Sequence, residues 1–264
     1  MTKNPYTEKY PMTNIHPDAK IADNVVVEPF ATIQGDVEIG EGTWIGPNAV
    51  IMDGARLGKN VKVFPGAVIS GIPQDLKFKG EKTLTYIGDN TTLRECVTVS
   101  RGTTDKMKTV VGSNCMLMAY VHIAHDVIMG DHCILSNATQ IAGHVEIDDH
   151  VIIAGTAAVH QFVKIGQHAF IGGGSLVRKD VPPFVKAARE PLSYCGINSV
   201  GLRRRGFEGD TLQEVHEMYR MIYTRGFTMA EAIRQIEEEI EQSEERDIIL
   251  EFLKKSERGI IKGY

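Results

Sequence analysis

The sequence predicts an all-β solenoid, a parallel β-helix built from hexapeptide repeats, followed by a small C-terminal helical domain. Three features carry this reading. An aliphatic residue returns at every sixth position through most of the chain, a small or β-branched residue lies four places after most of them, and a helical pattern begins beyond Asp180-Val181-Pro182-Pro183. A period of six fits neither the 3.6 of a helix nor the 2 of a sheet face. It fits a coil of three short flat strands, so that three hexads, about 18 residues, make one turn.

Residues 1–14 precede the first hexad and form an N-terminal extension without the apolar stretch of a secretion signal. The solenoid is assigned to residues 15–180. Its aliphatic register runs Ile15, Ile21, Val27, Ile33, Ile39, Ile45, Ile51, Leu57, Val63 and Ile69, then Ile87, Leu93 and Val99. It resumes at Val111 and continues through Leu117, Ile123, Met129, Leu135, Ile141, Ile147, Ile153, Val159, Ile165, Ile171 and Val177. Residues such as Ala19, Val25, Ala31, Ala49 and Val145 hold the small position, where the chain turns without widening the prism. The two breaks in phase predict insertion loops near 70–86 and 100–109, and solenoid insertions gather on one face, often the binding face.

Residues 181–264 are expected to be helical. Leu212, Val215, Met218, Tyr219 and Ile222 form an apolar stripe within Thr211 to Arg225. Thr228-Met229-Ala230-Glu231 reads as a capping box opening a second helix, and a third covers Asp247 to Ser256.

Composition excludes several function classes. A net charge of -5 and only 7% aromatic residues disfavour nucleic acid, which needs a basic face and stacking platforms. No apolar run reaches the roughly 18–20 residues of a transmembrane helix. The four cysteines, Cys96, Cys115, Cys133 and Cys195, contain no C-x-x-C pair and read as reduced residues of a cytoplasmic protein.

Seven of the nine histidines lie between positions 122 and 168, and coil arithmetic sorts them. Eighteen residues beyond His125 and Asp126 stand Gly143 and His144, and His160 and Gln161 follow one coil later. This strip combines a base, a carboxylate and an accessible backbone amide, the parts needed to deprotonate a hydroxyl and hold an oxyanion. His132, His150 and His168 form a second ladder, expected on solvated outer positions.

Six segments together resemble one family. They are Gln74-Asp75-Leu76-Lys77, His122-Ile123-Ala124-His125-Asp126, Ala142-Gly143-His144-Val145, Ala158-Val159-His160-Gln161-Phe162, Asp180-Val181-Pro182-Pro183, and Asn198 with Gly201-Leu202-Arg203-Arg204-Arg205-Gly206-Phe207. Hexads alone resemble the superfamily of left-handed parallel β-helices. The full set resembles the acyl-carrier-protein–UDP-N-acetylglucosamine O-acyltransferases of lipid A biosynthesis, over nearly the whole chain.

The resemblance implies the left hand of the coil and a homotrimer with active sites between subunits. It also implies transfer of an (R)-3-hydroxyacyl group from acyl carrier protein to the 3-hydroxyl of UDP-N-acetylglucosamine, without a cofactor or metal. His125 would be the general base, Asp126 would orient it, and Gly143 would hold the oxyanion. Gln74, Asp75, Lys77, His122, His144, His160, Gln161, Asn198, Arg204 and Arg205 would bind substrates, and Gly173 would floor the acyl groove. Two positions depart from the family: Val200 replaces an acidic residue, and Pro191 replaces a histidine. Three alternatives remain open on the residues: a hexapeptide-repeat zinc carbonic anhydrase using His122, His125 and the ladder, another sugar-nucleotide acyltransferase, or a non-catalytic scaffold.

Overall fold

The computed structural model describes residues 4–263. Strands of mostly two residues assemble into three sheets of nine, eight and eleven strands. Through the coils, each strand pairs in parallel with the strand three places on, so the chain winds a triangular prism. Ile33 pairs with Ile51, Ile123 with Ile141, and Ile141 with Val159, the 18-residue register of an uninterrupted coil. Across the insertions Ile69 pairs with Val99 and Val99 with Ile123, so extra residues leave as loops while the ladder stays in phase.

The core follows the hexads. Ile33, Ile51, Ile69, Leu93, Leu117, Ile123 and Ile141 are buried, as are the small partners Ala31, Ala49, Ala67 and Val97. Each buried aliphatic contributes about 1.5–3 kcal/mol of transfer free energy, repeated along the axis. The corners carry a requirement that hydropathy does not show: one residue at many corners sits in the left-handed region. Asn60, Asn90, Asn114, His132, His150 and His168 occupy one such column with φ between 54° and 61°. Asn, Asp and His tolerate this region better than other side chains, which accounts for their recurrence there.

The N-terminal extension closes the open end of the prism. Amides of the first coil donate to the second, leaving first-coil carbonyls at the edge. Four side chains of the extension take them. Asn4 Nδ2 donates to the Ile15 carbonyl at 2.7 Å, Tyr10 Oη to Val25 at 3.0 Å and Lys9 Nζ to Asp23 at 2.6 Å, and the Tyr6 hydroxyl donates to Ala19. An uncapped solenoid end is a template for pairing with another chain. Deleting residues 1–11 is therefore expected to lower the melting temperature, at about 1 kcal/mol per lost hydrogen bond. It should also produce concentration-dependent end-to-end association in light scattering; unchanged melting and size would contradict the capping role.

Beyond the coils the chain departs from the helical expectation. Val185–Ala188 and Ser193–Ile197 are strands that extend the third sheet over the last coil, and Lys262–Gly263 adds an edge. The reason is that an open final coil offers unpaired backbone groups, and alternately buried residues such as Val185 and Ala187 satisfy them as a strand. Helices begin only at α1 (Ser199–Arg204), which the apolar stripe did not reveal. They continue as α2 (Gly209–Tyr223), α3 (Met229–Glu239) and α4 (Glu244–Lys255). The capping box at Thr228 forms as expected. Tyr219, fully buried on α2, donates to the Pro183 carbonyl at 2.6 Å and ties the tail to the prism.

Candidate active site

The first and second sheets meet at one corner of the prism, and the unusual features of the sequence collect there. Successive coils place at it the loop 72–83, the loop 101–107, then His125-Asp126, Gly143-His144 and Gln161-Phe162. The two loops are tied together, with Thr83 Oγ1 donating to the Gly102 carbonyl at 2.6 Å. The His144 amide donates to the His125 carbonyl and the Phe162 amide to Gly143, the stacking that 18-residue arithmetic implies. The His144 ring stacks on Phe162 at 4.4 Å and meets His125 edge-on at 5.1 Å.

Asp126 is fully buried with a left-handed backbone, φ 60°. Its Oδ2 accepts from His125 Nδ1 at 2.9 Å and from Thr103 Oγ1 at 2.5 Å. Its Oδ1 accepts the backbone amides of Thr103 at 2.9 Å and Lys106 at 3.2 Å. Burial pushes this carboxyl up, but the bonds from Thr103, His125 and Lys106 outweigh it and hold the group below its ordinary range. An ionised carboxylate only accepts, so it keeps a proton on His125 Nδ1 and leaves Nε2 with a free lone pair. Gly143 lies directly against that nitrogen: a Cβ there would come within 2.9 Å of Nε2 and 2.7 Å of Cε1. Among the described residues, no acceptor takes the Gly143 amide hydrogen.

Asp75, Lys77 and His144 line one cavity of 250 Å³ with Phe78, Glu81, Thr103, Thr104, Asp105 and Phe162. His122 projects from the neighbouring strand, its Nδ1 2.7 Å from Thr98 Oγ1. Its pKa is lowered by burial and then by the nearby His125. His160 and Gln161 are exposed one coil on, with Arg258 Nη2 3.4 Å from His160 Nδ1. Gly173 stands elsewhere, at the opposite corner of the first sheet, stacked over Gly155. Asn198 is spent within the chain, since Nδ2 donates to the His168 carbonyl and Oδ1 accepts from Gly201 as the cap of α1. Arg204 is exposed, whereas Arg205 is half-buried and donates to the His150 carbonyl at 3.1 Å. The reading from sequence missed Thr103, Asp105 and Arg258, which no repeat or spacing marks.

The second histidine ladder differs from the solvated face expected of it. His132, His150 and His168 stack at 4.7 Å, nearly parallel, and pass from exposed to buried as Arg205 and Phe207 close over them. Burial, with His150 and Arg205 beside it, lowers the His168 pKa to about 4. Among the described residues, the one grouping with metal-ligand spacing is His125, Asp126 and His144. It is a poor cation site, because four donors already fill the acceptor positions of Asp126.

The fold and its repeats have counterparts among known proteins. Residues 180–261 match the model for domain 2 of UDP-N-acetylglucosamine O-acyltransferase, and residues 36–71 and 108–143 match bacterial transferase hexapeptide repeats. An acyl-carrier-protein–UDP-N-acetylglucosamine O-acyltransferase of Sulfurihydrogenibium is 58% identical over 256 residues, covering 94% of either chain. A relative of the same name from Thiobacillus denitrificans is 40% identical over 96% of this chain and 98% of its own. The crystal structure of a UDP-N-acetylglucosamine acyltransferase from Bacteroides fragilis superposes with a TM-score of 0.94 at 47% identity, over 96% of this chain and 99% of that one. That match carries the left hand of the coil with it. With fold, repeats and tail all in agreement, the chain belongs to the UDP-N-acetylglucosamine O-acyltransferase family.

Proposed function

We propose that the chain transfers an (R)-3-hydroxyacyl group from acyl carrier protein to the 3-hydroxyl of UDP-N-acetylglucosamine, with His125 as the general base. The carrying observation is the unit Asp126–His125–Gly143, which sets Nε2 against Gly143, whose amide has no acceptor among the described residues. A sugar hydroxyl is too weak an acid to attack a thioester unaided near pH 7, and an imidazole held in one tautomer supplies the base. Nε2 takes the hydroxyl proton as the sugar oxygen bonds to the thioester carbonyl carbon. The carbonyl electron pair moves to oxygen, where the Gly143 amide meets it. Collapse re-forms the carbonyl, breaks the carbon–sulfur bond, and the imidazolium returns its proton to the departing thiolate.

The remaining residues bind. Asp75, Lys77 and His144 share the cavity beside the base, and His122, His160 and Gln161 flank it. Arg204 and Arg205 suit the pyrophosphate, since a guanidinium fork matches phosphate oxygens. The homotrimer is supported by an apolar column on the outer face of the third sheet: Met116, Ile134, Ile152 and Phe170 stack in register and are only half-buried in one chain. None of the helices among the described residues is long and apolar enough to cross a membrane. The four free cysteines support a reaction in the cytoplasm, where thiols stay reduced.

The test is release of carrier-protein thiol that depends on UDP-N-acetylglucosamine. Thiol release at the same rate without the sugar nucleotide would contradict the reading. Exhaustive chelation is expected to leave turnover unchanged, given the filled Asp126 acceptors; activity restored only by zinc would favour the anhydrase-like alternative.

The family resemblance makes Gly173 the floor of the acyl groove, and a reading of acyl length follows from that role. Gly172-Gly173-Gly174 presents no side chain, and a Cβ on Gly173 would meet only Gly155 O at 3.3 Å and Ala154 Cβ at 3.9 Å. An open floor favours donors of about fourteen carbons over ten, at about 0.8 kcal/mol per buried methylene. Comparing ten-, fourteen- and sixteen-carbon donors before and after Gly173→Met checks this. A wild-type preference for ten carbons, or an unchanged ranking in the variant, would contradict it.

A further inference from the structure

We infer that the loop 101–107 is a positioning device for the base, and that Thr103 is the residue through which it acts. The inference rests on His125 being the general base. At an uninterrupted corner the chain passes from one sheet to the next within four residues, as from Ala142 to Val145, and its backbone bonds to the adjoining coils without forming a loop. The longer loop after Ser100 extends to the next coil and closes over Asp126. Thr103 is buried, and it grips both carboxylate oxygens: its amide donates to Oδ1 and its hydroxyl to Oδ2.

The shared oxygen matters most. Oδ2 receives Thr103 Oγ1 and His125 Nδ1 together, so the hydroxyl fixes the point at which the imidazole docks. The loop is itself anchored. The Met107 amide closes on the Thr103 carbonyl at 2.8 Å, Thr83 holds the Gly102 carbonyl, and Lys106 Nζ reaches Glu146 Oε1 at 2.9 Å. Asp105, two residues after Thr103, places Oδ2 3.0 Å from Nδ1 of His144. One loop therefore orients both imidazoles of this corner, the base through Asp126 and its neighbour directly. Thr103 touches no reacting atom; it acts through Asp126.

The experiment compares Thr103→Val, which keeps shape and backbone amide but loses the hydroxyl, with Thr103→Ser, which keeps the hydroxyl. Thr103→Val is expected to lower kcat about ten- to a hundred-fold, the kinetic equivalent of one hydrogen bond to a charged group. KM for UDP-N-acetylglucosamine should stay within about twofold, because ground-state sugar binding does not use the bond. The acid limb of the pH–rate profile should move to higher pH, because burial raises the Asp126 carboxyl once a donor is lost. Thr103→Ser should restore both. In a His125→Ala background, Thr103→Val should cost nothing further, since the group it positions is gone.

Wild-type turnover in Thr103→Val, an equal loss in Thr103→Ser, or an equal loss in the His125→Ala background would each overturn the inference. An active His125→Ala would remove the base assignment itself, a failure visible without any Thr103 variant. Nitrogen NMR of the wild-type imidazoles needs no variant to fold: His125 should carry its proton on Nδ1, and a proton on Nε2 would overturn the positioning role.

Discussion

Turnover of His125→Ala is expected to fall about 100- to 10,000-fold, the range typical for loss of a general base. The protein should keep its fold. The His125 side chain is 14% exposed at a corner and contributes nothing to the aliphatic column. Its removal also leaves Asp126 with three donors, two from Thr103 and one from Lys106, so the buried carboxylate is not stranded. KM for the sugar nucleotide should change far less than kcat, because proton removal belongs to the transition state. The check is steady-state kinetics beside thermal melting. Turnover within a few-fold of wild type, at unchanged melting temperature, would remove His125 from the mechanism.

Asp126→Asn should be at least as damaging, and the hydrogen bonds around it say why. Two backbone amides, from Thr103 and Lys106, point at Oδ1, and amides cannot accept. The asparagine oxygen must therefore take that side, which turns its NH2 toward Thr103 Oγ1 and His125 Nδ1. A donor facing Nδ1 moves the imidazole proton to Nε2, the nitrogen that has to act as the base. Loss of the correct tautomer in a hydrogen-bonded catalytic pair costs about 10,000-fold where the aspartate of a serine-protease triad is so changed. Kinetics combined with the imidazole NMR signature checks the argument. A variant with the proton still on Nδ1, or with turnover within about tenfold of wild type, would contradict it.

How much of this was legible in the sequence depends on which forces are periodic. Ile33, Ile51 and Ile69 face the core because the coil repeats, and a repeat can be read without coordinates. The same arithmetic correctly stacked His144 on Asp126 and Gly143 on His125. What escaped was aperiodic. Thr103 reaches Asp126 across 23 residues because of how one loop folds, and nothing in Arg101-Gly102-Thr103-Thr104 signals that reach. The strands at Val185 and Ser193 form because the last coil needs covering, a demand of the assembled prism rather than of those residues. The second histidine ladder was found by spacing, yet its burial was not, because Arg205 and Phe207 arrive from the tail. Its residue type has a backbone reason that the corner column makes plain: three asparagines and then three histidines follow one another along the chain at a left-handed position.

In the proposed reaction, a base at this corner directs an acyl group onto one sugar hydroxyl. The most direct measurement is structural assignment of the product, by mass spectrometry and proton NMR, after incubation with UDP-N-acetylglucosamine and 3-hydroxyacyl carrier protein. The expected product carries one added hydroxyacyl group, as an ester on the 3-oxygen of the glucosamine, formed by wild type and lost with His125→Ala. An acyl group on nitrogen, on another oxygen, or retained covalently on the protein would contradict it.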